Sequence, residues 1–229
     1  MAALCTDVLA IDTSGSFCSI AVVNRSGVRT AVSSTGSGDH FEQLPLLVGR
    51  VCEEAGISLS DIRSIRIGMG PGSFTGLRIG MSFVKGLACS LRVPLVGCSS
   101  LAGAAAAAWL RDSSLERVVV LADARRDEVF AAAYTRGAPI MEEVAPCIVP
   151  VAELSAATWS TSGTHWVTPQ RDFTLHGVPL VAEGEIASGL VVLQGDVLKA
   201  FDIGDIAALE PSYLRAVAAK TIAERRQGA

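Results

Sequence analysis

Aromatic and charged side chains are scarce in this sequence of 229 residues. Aromatic residues make up 5% of the chain and charged residues 18%, whereas hydrophobic residues reach 50%. The formal net charge of −4 argues against a protein that binds nucleic acid on its own, because neutralised phosphates supply most of that affinity. Glycine and alanine are abundant instead, which predicts a globular fold whose helices and strands pack closely through small side chains.

The cysteines lack the Cys-x-x-Cys spacing of a metal or redox site. The six of them are scattered, several inside apolar runs, which predicts buried thiols in a reducing compartment. The first residues lack the basic region of a secretory signal, and Asp7 and Asp12 interrupt their apolar run. The longest uncharged stretch, 93–110, is too weakly apolar to span a bilayer. We therefore expect a cytoplasmic protein that makes no membrane contact.

Histidine is nearly absent as well. His40, His165 and His176 are the three in the chain, and none has the spacing of a metal site. There is no His-x-x-x-His pair, which would place two imidazoles on one helix face, and no His-Glu-x-x-His of a zinc protease. The sequence therefore predicts no metal site, and His40, near a predicted helix start, is expected to have a capping or surface role.

What the sequence does contain is a glycine-dense segment at 68–80, Gly-Met-Gly-Pro-Gly-Ser-Phe-Thr-Gly-Leu-Arg-Ile-Gly. A predicted strand at 64–67 precedes it and a predicted helix at 75–91 follows, so backbone N–H groups could face a phosphate or another backbone. No Gly-Lys-Ser/Thr follows, so it is not a Walker A loop. Pro71 removes a donor and Phe74 adds an apolar ring, and both favour close backbone approach over a phosphate cradle.

Hydrophobic patterning predicts a βββαβα unit that starts again near residue 112. Two lobes would then face each other across a cleft between the turns that carry Asp12 and Asp123. After residue 139 the pattern weakens, and it predicts a helix at 151–158 and another around 186–198. The remaining predicted elements are strands at 8–11, 18–23, 28–33, 94–98, 117–121 and 128–134, and helices at 41–55 and 99–110.

Four segments together resemble the TsaB (YeaZ) family, and they are distributed over both predicted lobes: 9–14, 70–80, 123–125 and 210–215. The resemblance implies an α/β, actin-like ATPase (ASKHA) fold built from two ribonuclease H-like lobes with mixed five-stranded-type sheets. We expect lobes at 1–112 and 113–229, with the N-terminal lobe binding a partner and the C-terminal tail packing back on the first lobe.

The same resemblance implies a non-catalytic subunit required for N6-threonylcarbamoyladenosine (t6A) formation at position 37 of tRNAs reading ANN codons. Such a subunit binds and organises the metal-bearing transferase paralogue TsaD together with the ATPase TsaE. It forms a homodimer when alone, and it meets tRNA only through the complex. The histidine pair that holds the metal in TsaD aligns with Ser100 and Ala104, and neither can replace imidazole as a ligand.

Asp12, Ser14 and Asp123 are the candidate residues of a nucleotide cleft. Two opposed carboxylates could hold a hydrated Mg²⁺ that bridges the phosphates of ATP or ADP, with Ser14 as a donor. Alternatively, each aspartate only caps its own tight turn. The first interpretation leaves a second hypothesis open, a stand-alone actin-like ATPase or phosphotransferase that uses the Asp12/Asp123 cleft. Nucleotide could also bind at the partner interface.

The helix predicted at 75–91 carries two stripes at helical spacing. We expect one to cover its own sheet and the other either to meet a partner helix or to lie beneath the 41–55 helix. The core stripe is Leu77, Met81, Val84, Ala88 and Leu91; the second stripe contains Ser90 and the predicted partner-binding residues Gly76, Gly80, Phe83 and Leu87.

The basic tail at 216–226 is expected to be solvated, or to touch tRNA within a complex.

Overall fold

Two mixed β-sheets and four helices form the described part of the chain. The computed structural model describes residues 7–27, 29–33, 42–154, 159, 163–170, 173–176, 178, 181–182, 185–194 and 198–214. The predicted α/β class with two mixed sheets is confirmed. His40 and the basic tail lie outside these residues.

The first sheet has six strands in the order β11-β5-β4-β1-β2-β3. Its centre is parallel, since β1 pairs with β4 and β4 with β5, whereas β2, β3 and β11 run antiparallel to their neighbours. The strands are β1 (Val8–Asp12), β2 (Ser19–Val23), β3 (Arg29–Ser33), β4 (Ser64–Gly68), β5 (Leu95–Cys98) and β11 (Leu198–Phe201).

The second sheet has five strands in the order β10-β9-β6-β7-β8. The β6–β7 hairpin repeats the β1–β2 hairpin of the first sheet, as the sequence predicts, and β6 pairs with β9 in parallel as β1 does with β4. The strands are β6 (Arg117–Arg125), β7 (Glu128–Thr135), β8 (Met141–Pro150), β9 (Thr164–Thr168) and β10 (Val181–Ala182).

Helices cover both faces of the first sheet. Residues of α1 (Leu44–Glu54) and α2 (Phe74–Leu91) share one core with its outer face. Residues of α3 (Ser100–Arg111) and α4 (Ile186–Leu190) share a second core with its inner face and with the second sheet. The space between the two sheets is therefore occupied by α3 and α4.

Small side chains allow this close packing, as the composition predicts. A Cβ added to Gly189 of α4 would lie 1.9 Å from the carbonyl oxygen of Gly103 in α3, so the two backbones touch. Ala104 and its alanine neighbours in α3 are buried from both sides. A larger side chain at these positions would separate the two sheets.

Several predicted details of the second half are wrong. The first sheet has six strands rather than five, because Leu198–Phe201 pairs with β5 at its edge. The helix predicted at 186–198 ends at Leu190. Val151–Glu153 is a 3-10 turn, and 155–158 lie outside the described residues. Strands β8, β9, β10 and β11 are not predicted at all. The division of the chain at residue 112 stays a prediction.

Two further 3-10 turns, Leu59–Asp61 and Ile206–Ala208, complete the described elements. No helix among the described residues is long and apolar enough to cross a membrane.

Candidate functional site

The glycine-dense segment encloses the chain's own first hairpin turn, residues 12–14, which we call the Asp12 turn. Four of its glycines face this turn at distances that leave no room for a side chain. A Cβ would lie 1.8 Å from Asp12 Oδ2 at Gly68, 2.3 Å from the Ser14 oxygen at Gly72, 2.2 Å from the Thr13 oxygen at Gly76 and 2.1 Å from Thr13 Oγ1 at Gly80. The cradle that a phosphate would need is therefore filled by protein.

Hydrogen bonds fix the Asp12 turn within this enclosure. The Ser73 N–H donates to the Ser14 carbonyl oxygen over 2.7 Å, and the Thr13 hydroxyl donates to the Gly76 carbonyl oxygen over 2.9 Å. Ser73 also caps α2, since its Oγ accepts the Gly76 N–H. The start of α2 is thus joined to the end of β1.

The Asp12 carboxylate is fully buried at the centre of the turn. Oδ1 accepts the N–H of Ser14 over 2.9 Å and its hydroxyl over 2.7 Å, and Oδ2 accepts the hydroxyl of Ser100 over 2.6 Å. Burial raises the pKa of Asp12, and the bonds from Ser100 and Ser14 partly oppose that rise. A carboxylate so enclosed is satisfied by the protein, which favours the turn-capping interpretation.

Ser100 connects this carboxylate to the glycine segment. Its Oγ accepts the Gly70 N–H over 3.0 Å while its own N–H donates to the Gly70 carbonyl oxygen over 3.0 Å. Ser100 is itself buried at the first residue of α3, and Ala104 is buried one turn further on. The two positions that we expect to align with the histidine pair therefore hold a hydrogen-bonding hydroxyl and a methyl group.

Asp123 repeats the local geometry of Asp12 in the second sheet. Its Oδ1 accepts the N–H of Arg125 over 2.7 Å, the same spacing of two residues, and its Oδ2 pairs with the Arg125 guanidinium over 3.1 Å. The N–H of Asp123 donates to Gln170 Oε1 over 2.6 Å. Asp123 is partly exposed, and its oxygens also cap their own turn.

The site does not fit ATP or ADP with magnesium as the sequence places them. Asp12 has no exposed oxygen, and the neighbouring Gly15 approaches the second sheet so closely that an added Cβ would lie 3.0 Å from the Pro169 oxygen. Among the described residues, no group of three or more His, Cys, Asp or Glu side chains is placed to hold a metal ion.

The predictions for the two stripes of α2 compare differently with the structure. The core stripe is confirmed, with Leu77, Met81, Val84 and Ala88 buried and Leu91 partly buried against the same core. Of the second stripe, Phe83 and Leu87 are also partly buried there, and their contact with a partner stays a prediction. Gly76 and Gly80 instead face Thr13 inside the chain, so neither is presented to a partner helix.

The outward sides of α1 and α2 carry a different set of exposed residues, which we call the outer helical face: Leu46, Gly49, Ser82, Gly86 and Cys89. All five are exposed, and Leu46 is 74% exposed. A Cβ added to Gly49 or Gly86 would meet no atom within 4 Å, so these helical glycines have no packing role within the described chain. Sequence reasoning missed them, although glycine inside a helix costs stability and is itself a signal.

Comparison with known proteins places this geometry in a family. A family model described as TsaD, tRNA N6-adenosine threonylcarbamoyltransferase, matches residues 31–221. The chain is 36% identical over 168 residues to the Escherichia coli protein named tRNA threonylcarbamoyladenosine biosynthesis protein TsaB, a match that covers 69% of this chain and 71% of that protein. The Haemophilus influenzae protein of the same name is 33% identical, over 56% of this chain and 54% of its own length.

Solved structures agree with these sequence matches. A Pseudomonas aeruginosa protein, described as uncharacterized with similarity to peptidase YEAZ, superposes with a TM-score of 0.72 at 29% identity and covers 92% of this chain and 100% of its own. YeaZ from the same organism superposes with a TM-score of 0.65 at 29% identity, covering 82% and 90%. The chain belongs to the TsaB (YeaZ) family, within the wider group that the TsaD family model describes.

Proposed function

We propose that this chain is a non-catalytic subunit required for t6A formation at position 37 of tRNAs reading ANN codons. In this role it binds and organises a TsaD-type transferase together with a TsaE-type ATPase in the cytoplasm. Its relatives share the name tRNA threonylcarbamoyladenosine biosynthesis protein TsaB, which supports a role in t6A biosynthesis. The observation that carries the non-catalytic part is the buried, fully bonded Asp12 turn.

A catalytic carboxylate has to reach its substrate or metal, and Asp12 does not. Its hydrogen bonds come from Ser14 and Ser100, and Gly68 lies so close to its Oδ2 that no side chain would fit between them. The polar groups at this position hold β1, the glycine segment and α3 together. We therefore infer that the chain contributes structure to the complex and leaves metal and transfer chemistry to the partner. No observation favours the stand-alone ATPase or phosphotransferase.

The partner-binding surface that we infer is the outer helical face. Leu46 presents a nearly free apolar side chain, and Gly49 and Gly86 leave the backbones of α1 and α2 open to close approach by another helix. Phe83 and Leu87 lie partly exposed beside Gly86 and extend the apolar area. The same face would join two copies of the chain in a homodimer when the partner is absent.

The first test is Gly86→Leu, assayed by co-purification and titration calorimetry with the TsaD-type partner. Because open space surrounds Gly86, the variant is expected to melt at or slightly above the wild-type temperature, while its bulk weakens the complex at least about tenfold. Ser113→Leu is the matched control, since it adds the same side chain to an exposed position before the second sheet. Wild-type affinity of Gly86→Leu would contradict docking at this face.

Cys89 offers an independent readout on the same helix. It is exposed, whereas Cys18, Cys52 and Cys98 are buried and Cys147 is partly buried; Cys5 lies outside the described residues and is replaced by serine for this test. A maleimide reagent is expected to modify Cys89 readily in the free chain, diluted until it is monomeric, and slowly in the complex. Equal labelling rates would place the partner elsewhere.

A further inference from the structure

An exposed group of two aromatic rings and a guanidinium lies at the N-terminal end of α2. The rings of Phe74 and Tyr213 have centroids 5.3 Å apart at an interplanar angle of 37°, and the guanidinium carbon of Arg78 lies 4.3 Å from the centre of the Phe74 ring. The Arg78 Nε–H also donates to the Tyr213 hydroxyl over 3.2 Å. We call these three residues the aromatic cluster.

The aromatic cluster is exposed although it is well anchored. Phe74 is 40% exposed and Tyr213 36% exposed, which is a large apolar area for residues that the core does not use. The backbone on both sides is fixed, since the Ser212 N–H donates to the Met69 carbonyl oxygen over 2.8 Å and Ser73 caps the helix. The rings are therefore held in place before any ligand arrives, which lowers the entropic cost of binding.

The chemistry of the aromatic cluster suits a nucleotide. Unpaired bases stack on aromatic rings and on guanidinium planes, and Arg78 and the rings offer both. The first N–H groups of α2, those of Phe74 and Thr75, have no partner within the helix, and both residues are exposed. A phosphate next to a stacked base would find these N–H groups and the Arg78 cation within the same small area.

A series of contacts connects the start of α2 to the β6–β7 turn of the second sheet. Ser73 bonds to Ser14, the adjacent Gly15 touches Pro169, and the adjacent Gln170 bonds to Asp123 at the β6–β7 turn. That turn displays the exposed Arg125, Arg126 and Asp127, and Arg125 pairs with Asp123. The turn therefore carries charge of both signs, and Arg78 is the cation that a phosphate would meet beside a stacked base.

We propose that the aromatic cluster stacks on an unpaired base of the RNA substrate, in the single-stranded anticodon loop. The inference rests on the proposed function, which supplies the RNA, and it assigns to this chain an RNA contact made within the assembled complex. A protein partner is the competing occupant. The Arg78 guanidinium and the helix N-terminus favour RNA, whereas the open glycines and Leu46 of the outer helical face suit a helix.

The experiment uses the complex reconstituted with its TsaD-type and TsaE-type partners and an anticodon stem–loop RNA labelled with fluorescein, titrated by anisotropy at one fixed salt concentration. Tyr213→Leu and Phe74→Leu keep apolar volume but remove a ring, and each is expected to raise the Kd about tenfold. Tyr213→Phe keeps the ring and is expected to bind RNA within about twofold of wild type. Leu110→Ala is the control, because Leu110 is 39% exposed on α3.

Direct contact is tested with the same RNA carrying 4-thiouridine in its loop, which is expected to cross-link to a peptide containing Phe74 or Tyr213. Unchanged RNA affinity of both leucine variants would overturn the inference and leave the proposed function intact. If these variants no longer bind the TsaD-type or TsaE-type partner, the aromatic cluster is a protein-binding surface, and the inference is overturned. Failure of the wild-type complex to bind the RNA would contradict the proposed function as well.

Discussion

At the scale of single residues, Asp12 is an acidic side chain that the fold buries, so that it cannot contact a ligand. Its carboxylate lies in the interior and accepts bonds from Ser14 and Ser100. Such a group stabilises the fold only while these donors stay in place, because an unpaired buried carboxylate is costly. At the end of β1, Asp12 therefore stabilises the packing of the glycine segment and α3, and it does not bind a ligand.

Asp12 also makes a testable contribution to pH dependence. Burial raises its pKa in the folded state above the ordinary value of 3.8, so the folded chain binds this proton more tightly than the unfolded chain does. That contribution to stability is fully present below 3.8 and is lost as pH rises through the folded value. Asp12→Asn cannot ionise, so the stability of the variant relative to wild type is expected to increase with pH.

Urea unfolding of both proteins at a series of pH values measures this difference. A difference that stays constant with pH would contradict a raised pKa at Asp12. Asp123→Asn serves as the comparison, because Asp123 is partly exposed at the matching turn and pairs with Arg125.

The sequence could place Asp12 and Asp123 at two equivalent turns, but it could not decide between a cation site and a pair of capped turns. That decision depends on Ser100, which is distant in sequence and reaches Asp12 only because α3 begins beside the glycine segment. A serine at a helix start is common in any protein, so nothing in its local sequence indicates this contact.

At the scale of elements, glycine has two different roles within α2. Gly80 allows the helix to lie against Thr13, whereas Gly86 lies in open space. The sequence predicts the helix, its capping serine and its core stripe, because these follow from periodicity and local chemistry. It could not predict which glycines touch the Asp12 turn, since that contact joins segments far apart in the chain.

Paired alanine substitutions test this distinction. Gly80→Ala would bring a methyl group 2.1 Å from Thr13 Oγ1, and we expect a loss of stability of about 1 to 3 kcal/mol. Gly86→Ala meets no neighbour and restricts the unfolded chain, so we expect a gain of about 0.5 to 1 kcal/mol. Thermal and denaturant unfolding give both values. Equal effects of the two substitutions would contradict the assigned packing of α2.

The missed strands have an equally physical explanation. β8 contains Pro146 and the charged pair Glu142 and Glu143, which are typical of an edge strand and weaken its alternating pattern. The helix predicted around 186–198 ends early, and Leu198 instead begins a strand that completes the first sheet. Pairing at a sheet edge depends on tertiary structure and leaves little local signal.

At the scale of the whole molecule, the two sheets are joined through a core of small side chains and one buried cation. Arg66 of β4 donates from Nη1 to the carbonyl oxygens of Leu190 and Leu193, at the C-terminal end of α4. These bonds tie the first sheet to the helix that packs between the sheets. Residues of α3 and α4 fill the space between the two sheets and pack against both of them.

The central claim is that the chain acts by docking and not by catalysis, and t6A formation by the reconstituted complex tests it most directly. Complexes are assembled with wild type, Asp12→Asn or Gly86→Leu, and modified tRNA is quantified by mass spectrometry of its nucleosides. We predict wild-type activity for Asp12→Asn, because its carboxylate is enclosed by Ser14 and Ser100. We predict strongly reduced activity for Gly86→Leu, restored at saturating chain concentration. An Asp12→Asn chain that folds and joins the complex but abolishes t6A formation, together with an active Gly86→Leu chain, would contradict the account.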